Sequence, residues 1–279
     1  MVNIVGCPIL EVNMVVELHE QDFMTAEKLF TGNMFQLPAL SVLDLQFPGR
    51  VFVDNGNNPE IALVWALSRW SYISCKDIQP KHERFIADAF NTFIRPVVNE
   101  LGESCFEIYA DNSAGWDILL QAAFNNCLIE KHYENTFTLN IEKFNELNMD
   151  PGLPGDIKII EHMYPIAPEP YFKFLSGSMK NKQVLGMSLN KNGKVISQCI
   201  NNGFIHDNKY FIDLDTFSGC ERNKGYGTFI AYSLISKQLA NGFLPLWETT
   251  VKNLPSQKVA YKLGFERLEE YPVYTITKL

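Results

Sequence analysis

Hydrophobic and polar positions alternate most regularly in the second half of the chain. Residues 184–189 and 195–204 flank Lys191-Asn192-Gly193-Lys194. Asn-Gly supplies the positive φ angles of a tight primed turn, so the pattern predicts a hairpin. A second turn at His206-Asp207-Asn208 leads into residues 210–217 and completes a three-stranded antiparallel meander. From residue 228 to 239 the period lengthens to that of a helix, with Ile235 and Leu239 four apart. Residues 244–250 return as a strand, and 256–263 as a short helix stopped by Gly264.

The first half mixes both periods. Residues 22–30 and 80–101 have helical spacing, with Phe85, Ala89, Phe93 and Val97 on one stripe. Asp111-Asn112-Ser113 offers a cap ahead of a helix at 116–124. Residues 51–54, 61–66, 105–110 and 136–140 read as strands. No phosphate loop or catalytic cluster stands out here, and His82, Trp70 and Trp116 are expected to serve in packing. The clearest break is Asn148-Met149-Asp150-Pro151-Gly152-Leu153-Pro154-Gly155-Asp156, where two prolines and two glycines cannot continue a helix or an inner strand. The expected organisation is an N-terminal α/β unit at 1–150, a linker at 151–156 and a C-terminal unit at 157–279.

With 279 residues there is room for two cores, and 46% hydrophobic with 20% charged residues is the balance of a globular protein. A formal charge of −8 argues against general nucleic-acid binding and suits a cationic or amine substrate. The six cysteines, Cys7, Cys75, Cys105, Cys127, Cys199 and Cys220, show neither C-x-x-C pairing nor a nearby metal-ligand histidine. They read as free thiols of a reducing compartment, with no metal expected. The first ten residues lack the basic start of a signal peptide, and no apolar run reaches the ~20 residues that span a bilayer. A cytoplasmic protein without membrane contact is expected, its oligomeric state open.

Between the meander and the long helix stands Cys220-Glu221-Arg222-Asn223-Lys224-Gly225-Tyr226-Gly227-Thr228. A strand, a glycine bend and a helix make an anion site, because the first N–H groups of the helix are unpaired and lie at the positive end of its dipole. A nucleoside-triphosphate loop needs Gly-Lys followed by Ser or Thr, whereas here Lys224 precedes Gly225. The dinucleotide pattern G-x-G-x-x-G fails at Ile230.

Arg222-Asn223-Lys224-Gly225-Tyr226-Gly227 resembles the Arg/Gln-x-x-Gly-x-Gly/Ala signature of the GNAT acyltransferase superfamily. Leu244-Pro245-Leu246-Trp247-Glu248-Thr249-Thr250 is similar to that family's fifth strand, and Asn253, Ser256 and Lys262-Leu263-Gly264-Phe265 to its closing block. Asp213-Leu214-Asp215-Thr216, Pro245-Leu246-Trp247-Glu248 and the large upstream half resemble the branch that includes zwittermicin-resistance-type acetyltransferases, whose N-terminal half is commonly a degenerate GNAT-like domain. The resemblance implies an α/β (α+β) fold with a mixed, mostly antiparallel central sheet flanked by helices. It implies acetyl-coenzyme A as cosubstrate, its pyrophosphate on the N–H groups of Asn223, Lys224, Gly225, Tyr226, Gly227 and Thr228, with Arg222 nearby. Asp215, Thr216 and Phe217 would pair with the pantetheine arm, and Asn253 and Ser256 belong to the same cofactor set.

Such an enzyme transfers acetyl directly to an amine through a tetrahedral intermediate, and the amine must first lose a proton. The Glu that one branch carries eleven residues before the motif falls here on Phe211, which leaves Asp213, Asp215 and Glu248 as candidate bases. The Tyr that many members use as acid, seven residues after Asn253, is Ala260. Tyr261 stands one place late, about 100° around the helix. Either Tyr261 or another group, water included, protonates the thiolate. The expected function is N-acetylation of a small amine, the alternative a coenzyme-A-binding module that has lost catalysis.

Overall fold

The computed structural model describes residues 15–149, 153–175, 177, 179–217 and 219–279. Its strands in chain order are β1 (Val16–Glu17), β2 (Arg50–Val53), β3 (Ile61–Trp65), β4 (Trp70–Cys75), β5 (Cys105–Tyr109) and β6 (Leu128–Leu139). They continue as β7 (Ile157–Pro165), β8 (Gln183–Lys191), β9 (Lys194–His206), β10 (Lys209–Thr216), β11 (Leu244–Thr250) and β12 (Phe265–Thr277). The α-helices are α1 (Glu27–Phe30), α2 (Leu37–Leu43), α3 (His82–Ala89), α4 (Arg95–Glu100), α5 (Gly115–Ala123), α6 (Ile141–Asn145), α7 (Tyr226–Ala240) and α8 (Leu254–Lys262).

The strands make one sheet in the order β1-β2-β3-β4-β5-β12-β6-β11-β10-β9-β8-β7. That order reads as the same unit twice, about a centre between β12 and β6. In each half an antiparallel run leads to a parallel pair joined by a helical crossover, β4 with β5 and β10 with β11. The sixth strand of each unit comes from the other: β12 lies against β5, and β6 against β11. β6 and β12 also pair with each other, from Phe265 opposite Leu139 to Thr277 opposite Leu128. The mixed, mostly antiparallel sheet flanked by helices is the expected fold class. The Pro/Gly break falls between α6 and β7, and its Asp150, Pro151 and Gly152 lie outside the described residues, as does Cys7.

Alternation within each strand sends neighbouring side chains to opposite faces. Tyr210, Ile212, Trp247 and Phe137 point to one face and pack under α7 and α8 with Ile230, Leu234 and Ala260. On the same side of the other half, Phe106, Ile108 and Tyr274 pack with Phe85 of α3 and Trp116 of α5. The opposite face carries a core shared by both halves, in which Tyr72, Tyr109, Phe204, Phe211, Leu246 and Tyr271 meet Phe35 and α2. There α2 reaches across to β9. Ile205 N–H donates to Ser41 Oγ at 3.0 Å, and His206 Nδ1 meets Asp44 Oδ2 at 2.9 Å.

Three sequence expectations change locally. The helix expected over 80–101 is broken into α3, a π-helical turn at Phe90–Ile94 and α4. Pro96 has no N–H to continue the helical ladder, and the wider π turn directly before it accommodates its ring. Asp111 does not cap α5, which starts at Gly115. Its carboxylate accepts instead from Ser113 N–H at 2.8 Å and from the Trp116 indole at 3.0 Å. The strand expected at 136–140 runs back to Leu128, because pairing with β12 along its length outweighs its charged residues. No helix among the described residues is long and apolar enough to cross a membrane.

Candidate active site

The glycine bend follows β10 and opens α7. Asn223 and Gly225 hold φ of 61° and 84°, the left-handed region that glycine enters without penalty and asparagine with little. A Cβ built on Gly225 meets nothing within 4 Å, so the side it would occupy is open. A Cβ on Gly227 lies 3.2 Å from Thr216 Oγ1 and 3.7 Å from Leu214 Cδ2, so the first turn of α7 sits directly on the end of β10. Phe229 N–H reaches back to Gly225 at 3.0 Å. The N–H groups of Tyr226, Gly227 and Thr228 precede that bond, and no side chain caps the helix.

The charges around the bend are organised. Glu221, buried beneath the loop, accepts from Lys224 at 2.8 Å and Lys191 at 3.1 Å. Both pairs hold its carboxyl below the usual range. Arg222 Nε donates to the carbonyl of Thr216 at 3.3 Å. The cluster keeps a net positive charge beside the open end of α7.

β10 and β11 part as they run toward this bend. Their pairing starts at Lys209 with Leu244 and ends at Ile212 with Trp247, although β10 continues to Thr216 and β11 to Thr250. Asp213–Thr216 of β10 stay paired with β9 on their other side. Phe217 N–H donates to Ile196 at 3.1 Å. By the alternation of an antiparallel ladder, Leu214 and Thr216 therefore turn their N–H and C=O groups into the gap. Phe217 stands at its mouth, 57% exposed.

Glu248 is the first β11 residue beyond the parting. It faces the shared core and accepts a hydrogen bond from the phenol of Tyr271 on β12. Burial, then the like charges of Glu134, Glu107 and Glu269, pushes its carboxyl well above the ordinary range, and the Tyr271 bond only partly opposes this. Asp213, on the same face of β10, is reachable by water, yet burial and then Asp215 raise it too. Around Glu248 stand groups of the upstream half. Glu107 is paired with Arg69 at 3.2 Å and Glu134 with His132 at 3.3 Å, each carboxylate side chain 13% exposed. Tyr72 lies against Tyr109, ring centres 4.8 Å apart, and Phe35 stacks on Tyr271 at 4.3 Å. None of these upstream residues is marked by any motif. The single sequence hint was the −8 charge.

The other candidates lie as follows. Asp215 is exposed on β10, and Thr216 Oγ1 meets Ser197 Oγ at 3.0 Å. Asn253 caps α8 by accepting from Ser256 N–H at 3.2 Å, and Ser256 Oγ accepts from the Trp247 indole at 3.0 Å. Asn253 thus caps α8, and Ser256 seats it on β11. Tyr261 is 54% exposed, edge-on to Phe137 at 5.5 Å, across the sheet from the face that bears Glu248. His82 and Trp116 are buried in packing, and Trp70 stands edge-on to Phe204 at 6.0 Å.

This arrangement invites comparison with known proteins. A family model described as GNAT acetyltransferase matches residues 27–274. The chain belongs to the GNAT acetyltransferase family. As a member it is an acyltransferase, of a family that takes acetyl-coenzyme A as cosubstrate. "Uncharacterized N-acetyltransferase YdfB" of Bacillus subtilis (strain 168) is 22% identical over 271 residues, covering 94% of this chain and 98% of that one. Solved structures share the fold. A GCN5-related N-acetyltransferase-like protein from Streptococcus suis 89/1591 superimposes with a TM-score of 0.61 at 15% identity, covering 92% of this chain and 98% of its own. A tandem GNAT protein from the clavulanic acid biosynthesis pathway gives 0.57 at 12% identity, covering 94% and 97%.

Proposed function

We propose that this chain moves an acetyl group from acetyl-coenzyme A directly to a small amine, with Glu248 as the proton acceptor. One observation carries the reading. An uncapped helix N-terminus, an unpaired strand edge and a proton-avid carboxyl meet where β10 and β11 part.

The residues present fit coenzyme A. Open space at Gly225 lets a phosphate approach the backbone, and the N–H groups of Tyr226, Gly227 and Thr228 would hold it, with Arg222 and the Lys191–Glu221–Lys224 cluster supplying positive charge. The edge groups of Leu214 and Thr216 would pair with the pantetheine amides in the manner of an added strand. Bound there, acetyl-coenzyme A would supply a thioester carbon to which the amine nitrogen bonds first, the C–S bond breaking as the tetrahedral adduct collapses.

An alkylammonium cannot attack, and Glu248 removes its proton. A carboxyl raised above its usual range is a stronger base for this step. Tyr271 orients it, and the shared core limits water around it. Asp213 stands one strand away, at the mouth of the gap. The proton taken by Glu248 passes to solvent, and after attack the freed carboxylate takes the second nitrogen proton that amide formation releases. Tyr261 lies on the α7–α8 face and is exposed, so the departing thiolate takes its proton from water or from that phenol.

Release of coenzyme A thiol over a panel of primary amines tests the reading. Amine-dependent release, lost in Glu248→Gln, is expected. Release equal in that variant and the parent would refute the role of Glu248.

A further inference from the structure

Glu248 needs neither Glu107 nor Glu134 to take a proton, yet both crowd toward it from strands of the upstream repeat. Five carboxyl groups, Glu107, Glu134, Glu248, Glu269 and Asp213, gather near Arg69 and His132, with Lys252 beside His132, and of the five Glu269 is tied to Phe35 N–H at 2.6 Å. Arg69 takes Oε2 of Glu107 and His132 takes Oε1 of Glu134, while a carboxylate has room for about four donors.

A separate feature lies beneath these carboxyl groups. The Thr136 side chain is wholly buried, and among the described residues its Oγ1 has no hydrogen-bond partner. Thr136 stands opposite Glu248 on β11 and opposite Glu269 on β12, so all three share one face. Buried hydroxyls are ordinarily paired, and this oxygen can accept from an N–H donor. Beside Glu248 the rings of Tyr271, Tyr109 and Tyr72 pack in the shared core, with Tyr109 and Tyr271 centres 6.2 Å apart.

Resting on the N-acetyltransferase reading, we propose that the acceptor is a diamine or polyamine. Its reacting nitrogen lies at Glu248 and Thr136, and its distal ammonium is held by Glu107 and Glu134. The upstream repeat, which has no glycine loop, thus supplies acceptor specificity through β5 and through β6, the strand it gives to its partner unit.

The test compares 1,4-diaminobutane and 1,5-diaminopentane with butylamine and pentylamine in the thiol-release assay, using the full chain, Glu107→Gln and Glu134→Gln. The glutamines keep the side-chain shape and relieve like-charge repulsion, so both variants fold. A diamine-over-monoamine preference of about tenfold or more in kcat/KM is expected in the parent, and that ratio, read within each protein, falls several-fold in each variant. Monoamines used as well as diamines would overturn this inference and leave the N-acetyltransferase reading standing. If no amine turns over, calorimetry with 1,5-diaminopentane decides. Binding that weakens in both variants supports the carboxylate cluster as a diamine site and refutes the transfer reading. Absence of binding overturns both.

Discussion

The phenol of Tyr271 on β12 donates to the carboxylate of Glu248 on β11, across the intervening β6. The bond favours the ionised carboxylate, whereas burial and neighbouring acids favour the protonated one. Tyr271→Phe therefore raises the Glu248 pKa further. The acid limb of the kcat/KM profile should move to higher pH in that variant. An unmoved limb with a lower plateau would give Tyr271 a purely packing role.

Glu248→Gln separates activity from stability. Loss of a general base costs about 10²–10⁴ in rate. Folding raises the Glu248 pKa, so the native state binds more protons than the unfolded chain between the two values. Stability is then fully present below the ordinary carboxylate range and falls as pH rises through the native pKa. The glutamine does not titrate. The variant should melt higher than the parent near pH 8, with the gap closing toward about pH 4, as melts across pH will check.

Gly225→Val should abolish coenzyme A binding in a protein that still folds. The left-handed φ costs a side chain about 1–2 kcal/mol, and the valine enters the open space where the phosphate is proposed to approach. Equilibrium binding of coenzyme A beside a far-ultraviolet spectrum checks both halves of the prediction.

Asn253→Ala tests a cap rather than a ligand. Loss of the bond to Ser256 N–H should cost about 1 kcal/mol of stability. Denaturant unfolding measures it. If α8 stays seated through Trp247 and Ser256, coenzyme A affinity changes little.

The downstream half was legible because its signals are local. Alternation gave β8, β9 and β10, Asn192-Gly193 gave the turn at φ 51° and 80°, and the glycine pattern gave the start of α7. The exchange of β6 and β12 was not legible, since it depends on pairing between residues more than a hundred positions apart. For the same reason Glu107, Glu134 and Tyr271 carry no sequence mark. They become neighbours of Glu248 only when β12 and β6 enter between β5 and β11. Asn253 and Ser256 illustrate the converse, a motif readable in sequence whose side chains turn out to fasten a helix.

The most direct measurement of the central claim is the melting temperature with and without acetyl-coenzyme A, in the parent and in Gly225→Val. At ~100 times its dissociation constant, a ligand bound only by the native state adds about 2.7 kcal/mol. A clear rise in the parent and none in the variant is the predicted result. No rise in the parent at millimolar acetyl-coenzyme A would contradict the claim that the bend before α7 holds it.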